Sequence, residues 1–388
     1  MFDRILTEVL CRGDRSILLL GPRQVGKSTL LQSLQPDLTV NLASPTAFRD
    51  YATHPERLEQ ELRAAGPEVR TIFLDEVQRV PELLDLVQVL VDEQPHRFRF
   101  LLSSSSARKL KRGRANLLPG RIHVHYLHPL LACELGPAFD IDRTFAHGTL
   151  PGIYAEDDPA LREADLRSYA DTYLREEVQA EALVRNIGGY GRLLELLAAA
   201  SGRVLNLNAL CRDAGLSYET ARRYVEVLED TLLAFRVPAW TASERSSLVR
   251  HPKIFLFDLG VRNALLRRPL DRPLDDERGF LLEHLVAFEL HRRLGSVLPR
   301  AALFFYRTRH GAEVDFILEV DGELWAIEVK ASRRVDRSAL RGLTSFQSSK
   351  PPVKRRLVIF LGPRRQQFDD VEIVPLSEFL AELPQSST

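Results

Sequence analysis

The octapeptide Gly21-Pro22-Arg23-Gln24-Val25-Gly26-Lys27-Ser28 constrains this chain more than any other stretch, because it follows the aliphatic run SILLL and leads straight into the helical run TLLQSL. A glycine-bent loop between a strand and a helix N-terminus presents free backbone N–H groups and a helix dipole, both suited to phosphate. Gly21 and Gly26 let the backbone approach without a Cβ clash. From this pattern, residues Gly21, Pro22, Arg23, Gln24, Val25, Gly26, Lys27, Ser28 and Thr29 are the expected nucleotide contacts. Lys27 would reach the β- and γ-phosphates and the Ser28 hydroxyl would ligate Mg2+. The bland alternative is a chance glycine turn ahead of a helix.

Further along, TIFL leads into Asp75-Glu76, a buried strand delivering two carboxylates at its C-terminal edge. Asp75 is the expected magnesium partner through water, and Glu76 the expected general base on the attacking water. Two acids at a strand end can also cap a helix. The strand FRFLL then ends in Ser103-Ser104-Ser105-Ser106, followed by the basic run ARKLKRGR. Ser103 is the expected sensor of the γ-phosphate, with a plain serine-rich turn as the alternative. Arg121, after Gly120, is either a finger acting in trans across a subunit interface or a surface ion-pair partner.

At 388 residues the chain is long enough for two or three domains. Its 53 basic and 53 acidic residues cancel, so whole-chain charge favours neither nucleic acid nor membrane and only local clusters can argue for a partner. Cys11, Cys133 and Cys211 lie far apart with no C-x-x-C pair, which argues against zinc and against a disulfide framework. The N-terminus has acids among its apolar positions and lacks the apolar run of a signal peptide or membrane span, so a cytoplasmic protein is expected.

The first ~150 residues alternate aliphatic runs (SILLLG, TVNLA, TIFLD, FRFLLS, RIHVHYL) with helical stretches (after Lys27, PERLEQELRAA and PELLDLVQVLVDE), as a parallel α/β sheet does. A boundary is expected near Leu150. Residues 151–250 read as helical, and 201–235 carry two helical periods about a turn at Gly215, with Ser217 as N-cap: a helix-turn-helix, often winged. Arg222 and Arg223 on its second helix are candidate DNA contacts, although Glu226, Glu229 and Asp230 would repel phosphate and such units also serve only for packing.

Residues 251–388 end in alternating strands. If AEVDFILEV and ELWAIEVKA pair about Asp321-Gly322, Glu328 and Lys330 share one face of a strand and Asp315 approaches from its partner. Two carboxylates beside a lysine suit a hard divalent cation, with Glu283 of the amphipathic run GFLLEHLVAFEL as a third acid. Lys330 would orient a water or stabilise developing charge. Tyr306, Arg307, Lys354, Arg355, Arg356, Arg364 and Arg365 would supply phosphate contacts around it, unless they are solvated surface charge. The alternative for the whole cluster is an amphipathic hairpin with its charges in solvent.

On GPRQVGKST, TIFLDEVQ, FLLSSSSARKL, LLPGRIHVHYLHPL, YLREEV, GFLLEHLVAFEL, GAEVDFILEV and AIEVKAS, the chain resembles a group of prokaryotic AAA-plus-type ATPases. These couple an N-terminal P-loop domain to a C-terminal domain of unknown function, related in fold to restriction and RecB-like nucleases. The resemblance implies three parts: a P-loop ATPase domain over 1–150, a helical, winged helix-turn-helix region over 151–250, and a PD-(D/E)xK-type α/β domain over 251–388. In that last module, Glu283, Asp315, Glu328 and Lys330 match the acidic and lysine positions. It further implies an oligomer, in which a ring is one arrangement. The joint presence of the P-loop with Asp75-Glu76, the helix-turn-helix and the Asp315/Glu328/Lys330 cluster leads to the expectation of an ATP- and magnesium-using protein acting on double-stranded or branched DNA, and cutting it where the C-terminal module is active. Where relatives read Thr-Gly-Ser-Ser, this chain has Ser103-Ser104-Ser105-Ser106. A remodelling ATPase that does not cut, and a nucleotide-switched scaffold in signalling or defence, are the competing expectations.

Overall fold

The computed structural model describes residues 2–106, 120–173, 186–241, 251–268, 277–294, 297–298, 300–308, 311–346 and 352–384. The basic run at 107–114, the start of LLPGR and residues 174–178 of YLREEV lie outside them. The chain forms two compact units: Met1–Pro129 with Val227–Leu233, and Leu130–Glu226 with Ala234–Thr388. No helix among the described residues is long and apolar enough to cross a membrane.

In the first unit β1 (Ser16–Leu20), β2 (Leu38–Asn41), β3 (Thr71–Asp75), β4 (Arg99–Ser104) and β5 (Ile122–Tyr126) form one sheet in the order β2-β3-β4-β1-β5. Every pairing in it is parallel. A parallel sheet is covered on both faces, so its central strands read as unbroken apolar runs; β1 is buried at every position and β3 and β4 at all but their first. All five expected strands are present. The helices are α1 (Leu6–Cys11), α2 (Lys27–Ser33), α3 (Pro45–Thr53), α4 (Glu56–Ala64) and α5 (Glu82–Glu93). Leu58 and Leu62 of α4 and Leu83, Leu84, Val87 and Leu90 of α5 recur three and four apart, and they close over Leu18, Leu20, Ile72, Leu74, Phe100 and Leu102 of the sheet. Because β4 lies between β1 and β3, the ends of these three strands open side by side at the sheet's carboxyl edge. That edge is where α/β sheets hold ligands.

In the second unit β6 (Ala234–Val237) pairs antiparallel with β7 (Lys253–Leu256). A six-stranded mixed sheet follows: β8 (Ala302–Arg307), β9 (Glu313–Val320), β10 (Glu323–Lys330), β11 (Val353–Phe360), β12 (Gln366–Phe368) and β13 (Val371–Pro375), in the order β12-β13-β11-β10-β9-β8. β9 and β10 form the expected hairpin, with Val320 opposite Glu323 and positive φ at Asp321 (51°) and Gly322 (78°).

Two expectations are corrected here. The compact division falls at Pro129/Leu130 rather than near Leu150, and it does not separate 151–250 from 251–388. The helix Ile141–His147 belongs with the later chain: Asn263 Nδ2 donates to the carbonyls of Phe145 (2.8 Å) and Ala146 (3.1 Å), and Asp258 Oδ2 accepts from the Thr149 N–H at 2.8 Å. Phe145, Phe235, Phe255, Phe288 and Phe316 share one core. Secondly, the helix Arg278–His291 is not amphipathic. Leu281, Leu282 and every residue from His284 to Leu290 are buried, because Phe235, Val237 and Phe255 of the β6–β7 ribbon and Phe305, Phe316, Ile327 and Leu357 of the large sheet enclose it in one cluster.

The short helix Arg341–Ser345 crosses close to β9: a Cβ added at Gly342 would lie 1.8 Å from the Glu313 carbonyl oxygen. Gly342→Ala therefore has to push helix and strand apart. We expect it to destabilise the second unit by about 1–3 kcal/mol, read as a lower midpoint in urea with an unchanged slope.

Candidate functional site

The loop after β1 owes its path to two glycines. The Gly21 N–H donates to the Ser104 carbonyl at 3.3 Å, and a Cβ at position 21 would meet the Leu127 carbonyl oxygen at 2.3 Å. Gln24 (φ 60°) and Gly26 (φ 92°) turn the chain through the left-handed region before α2 begins at Lys27. Val25 is fully buried and anchors the loop. Lys27 is 5% exposed, and its Nζ donates to the carbonyls of Gly21 and Pro22, both at 2.9 Å. Arg23, Gln24, Ser28 and Thr29 are exposed along the same loop and helix start.

Asp75, the last residue of β3, faces this loop. Ser28 Oγ donates to Asp75 Oδ1 at 2.9 Å. Ser103, wholly buried, donates to that same oxygen and accepts from the Glu76 N–H at 2.9 Å. Ser103, the expected γ-phosphate sensor, thus fixes both acidic residues. Glu76 itself has φ 59° and ψ 44°, a left-handed conformation that costs a non-glycine residue on the order of 1–3 kcal/mol. Its carboxylate Oε2 accepts from Gln78 Nε2 and from Ser105 Oγ (3.3 Å), while Gln78 Nε2 also donates to Ser105 Oγ at 2.9 Å.

Gln78 and Ser105 were not anticipated. Their signal was present, since Ser103 and Ser105 share a side by the two-residue period of a strand and Gln78 stands two residues past Glu76. Magnesium fits this site: the Ser28 hydroxyl and the Asp75 carboxylate are hard oxygen donors already in contact beside a phosphate-shaped loop.

Other expected residues lie elsewhere or are otherwise engaged. Arg121 pairs with Asp92 of α5 at 2.5 Å, the ion-pair alternative. The helix Leu207–Ala214 ends at Gly215 (φ 67°), and Ser217 Oγ accepts from the Thr220 N–H at 3.2 Å at the start of the helix Tyr218–Asp230, so two helices follow one another about the expected turn. On it Arg223 is exposed, but Arg222 pairs with Glu219 (3.1 Å) and Glu226 (2.5 Å).

The C-terminal cluster assembles, with an addition. Asp315 Oδ2 accepts from the Val329 N–H at 2.8 Å, and Lys330 Nζ donates to Glu328 Oε1 at 2.6 Å. Glu283, however, accepts from Lys253 Nζ at 2.9 Å, and Glu313 lies 3.1 Å from the same nitrogen. Lys253, on β7, is 3% exposed. Burial alone would lower its pKa, yet the carboxylates of Glu283, Asp315 and Glu313 outweigh that and hold the ammonium above its usual range. The expected metal set Glu283, Asp315 and Glu328 therefore does not fit a divalent ion as it stands, because a lysine cation sits among the acids. Among the described residues no group of three or more His, Cys, Asp and Glu side chains is arranged to hold a metal.

The basic residues expected around this cluster are mostly paired. Lys354 meets Glu323 (3.3 Å), Arg355 meets Glu372 (2.8 Å), Arg356 meets Asp370 (2.9 Å), Arg365 meets Glu378 (3.1 Å) and Arg307 meets Glu313 (3.7 Å). Tyr306 packs edge-on against Phe346, and Arg364 is exposed. Cys11, Cys133 and Cys211 are free thiols.

Comparison with known proteins gives three matched stretches. Residues 13–136 match the family model of an AAA domain, so the N-terminal part carries an AAA-type ATPase domain. Residues 138–272 match a domain of unknown function (DUF8612), and residues 278–379 another (DUF4143). An uncharacterized protein of Mycobacterium tuberculosis is 28% identical over 94% of this chain and 80% of its own length. Among solved structures, a RuvB of Thermotoga maritima aligns over 65% of this chain and 88% of its own, at 19% identity and a TM-score of 0.26. A Vibrio cholerae protein aligns over 94% and 95%, at 13% identity and a TM-score of 0.22.

Glu328 gives the cluster a pH signature. Burial, then the nearby Asp315 charge, push its carboxyl up to about 7, against the pull of Lys330. A carboxyl whose folded pKa exceeds its unfolded value binds a proton in the folded state where the unfolded chain has lost it, so its contribution to stability falls as pH rises from about 4.5 to 7. Glu328→Gln should remove that slope. The Tm of the variant minus that of the wild-type chain is expected to rise between pH 5 and pH 8, and a flat difference would refute the assignment.

Proposed function

We propose that this protein hydrolyses ATP with magnesium at the loop Gly21–Ser28, and that the cycle acts on DNA without cutting it. The observation that carries the first part is the linkage from Ser28 through Asp75 to Ser103 and Glu76, which joins the loop to both acids. Lys27 would trade its two carbonyl contacts for phosphate oxygens, with Gly21 to Thr29 wrapping the triphosphate and Ser28 and Asp75 holding the cation. Bound magnesium neutralises charge on the phosphate oxygens. Glu76 takes the proton of the attacking water, and its left-handed backbone aims the carboxylate; Gln78 and Ser105 set that carboxylate's direction.

The DNA part of the reading is supported by the helix-turn-helix with Arg223 on its exposed face. Arg222, committed to Glu219 and Glu226, contributes less. A cutting step by Asp315, Glu328 and Lys330 is the alternative, but Lys253 already balances the charge that a metal would have to balance. A subunit assembly with Arg121 reaching a neighbour's nucleotide belongs to the same reading, provided the Asp92 pair opens.

Glu76→Gln is expected to keep ATP bound while turnover falls about 10²–10⁴-fold, the usual worth of a general base. Lys27→Ala is expected to abolish the heat of ATP binding in calorimetry. Fast hydrolysis in the first variant would remove Glu76 as base. For DNA, fluorescence anisotropy with duplex and branched probes should show Arg223→Ala weakening both alike and lowering the salt slope by about 1. If DNA neither binds nor changes ATP turnover, a nucleotide-switched scaffold replaces the DNA reading.

A further inference from the structure

We propose that the Lys253 ammonium is the resident cation of the C-terminal carboxylate cluster, and that this cluster takes up no divalent metal while that lysine is in place. Four acids converge there from three elements: Glu283 from the helix Arg278–His291, Glu313 and Asp315 from β9, and Glu328 from β10. Against them stand Lys253, Lys330 on Glu328 at 2.6 Å, and Arg307, 3.7 Å from Glu313. Lys253 holds the central place among these cations. Its Nζ bridges Glu283 (2.9 Å) and Glu313 (3.1 Å) and lies 5.4 Å from the centre of the Phe305 ring, a second favourable site for a cation.

Geometry and solvation both oppose exchange for a metal. A hard dication draws carboxylate oxygens to roughly 2.0–2.6 Å, closer than the ammonium holds them. To make room the lysine has to leave its carboxylates, and at 3% exposure it is buried where it stands. A buried ammonium stripped of its partners is strongly unfavourable. Of the other carboxylates, Asp315 accepts from the Val329 N–H through Oδ2 and Glu328 from Lys330 through Oε1, while Glu328 Oε2 is buried without a partner. The lysine thereby ties β7 to both β9 and the central helix, doing structurally what a bound cation would do.

Without the ammonium the same acids form a concentrated negative site, and this makes the proposal testable. In an Asp75→Asn background, which silences the N-terminal magnesium site, Mn2+ is titrated into the full-length chain by calorimetry and by loss of the free-ion spin-resonance signal. With Lys253 intact, no saturable site is expected in the C-terminal unit. Lys253→Met should gain one Mn2+ per chain, with Tm depressed in chelator and raised by roughly 5 °C or more at saturating Mn2+. Lys253→Arg should keep the cation and gain none. A saturable site in the Lys253 chain that Glu283→Gln or Asp315→Asn removes would overturn the proposal, as would a folded Lys253→Met that binds none. Should Lys253→Met fail to fold even with Mn2+, the Lys253 chain decides alone: such a site refutes, and its absence upholds. None of these measurements depends on ATP turnover.

Discussion

The loop site depends on aiming two adjacent carboxylates in different directions, Asp75 at the end of a buried strand and Glu76 just beyond it. Adjacent residues on a strand point to opposite faces, so Asp75 and Glu76 cannot both address the loop unless the chain bends between them. It bends at Glu76, through a left-handed conformation that is unfavourable for a residue with a side chain. Ser103 makes the bend stable by donating to Asp75 and accepting from the Glu76 N–H. One hydroxyl therefore couples Asp75, Glu76 and the neighbouring strand. The requirement propagates outward: β4 has to lie beside β3 to present Ser103, and β1 beside β4 to present the loop, which is the strand order observed.

The second unit meets a different problem with similar materials. It buries acids between a helix and a sheet, where an unpaired carboxylate is expensive. Burial pushes Glu283 and Glu328 both up to about 7, with Asp315 raised as well and adding its charge to the same effect. Lysines set at the ends of strands supply the balancing charge. Because Lys253 comes from β7, some 30 residues before Glu283 in the chain, the balance exists only once β7, the central helix and β9 are assembled. Charge neutrality and tertiary structure are here one condition.

What the sequence made legible follows the range of the interactions. The loop, both acids and all five strands of the first sheet are local patterns, a glycine spacing, an apolar run and a polar end, and the structure has them where the pattern placed them. The β9–β10 hairpin was equally legible from Asp321-Gly322 and the alternation around it. Lys253 was not, because nothing in HPKIFLFD distinguishes a buried lysine from a surface one; its role is fixed by a helix and a strand that meet it from 30 and 60 positions away. The helix carrying Glu283 is not amphipathic although acids stand among its apolar residues, because Glu289 is buried against Arg293. Gln78 and Ser105 were within reach, but a motif draws attention to its own letters and not to the residues that orient them.

The two buried lysines also separate the units by readiness for an incoming charge. Lys27 gives two hydrogen bonds to the carbonyls of Gly21 and Pro22, which are neutral, so exchanging them for anionic phosphate oxygens replaces ordinary hydrogen bonds by stronger charge-assisted ones. Lys253 already makes the stronger kind, to Glu283 and Glu313. Any anion that pulled on it would have to compete with two carboxylates inside a low-dielectric interior, and any cation would have to expel it. The first lysine is held in a way that a ligand improves, and the second in a way that a ligand can only disturb. On this ground Lys253 and its acids hold β7, β9 and the helix Arg278–His291 together.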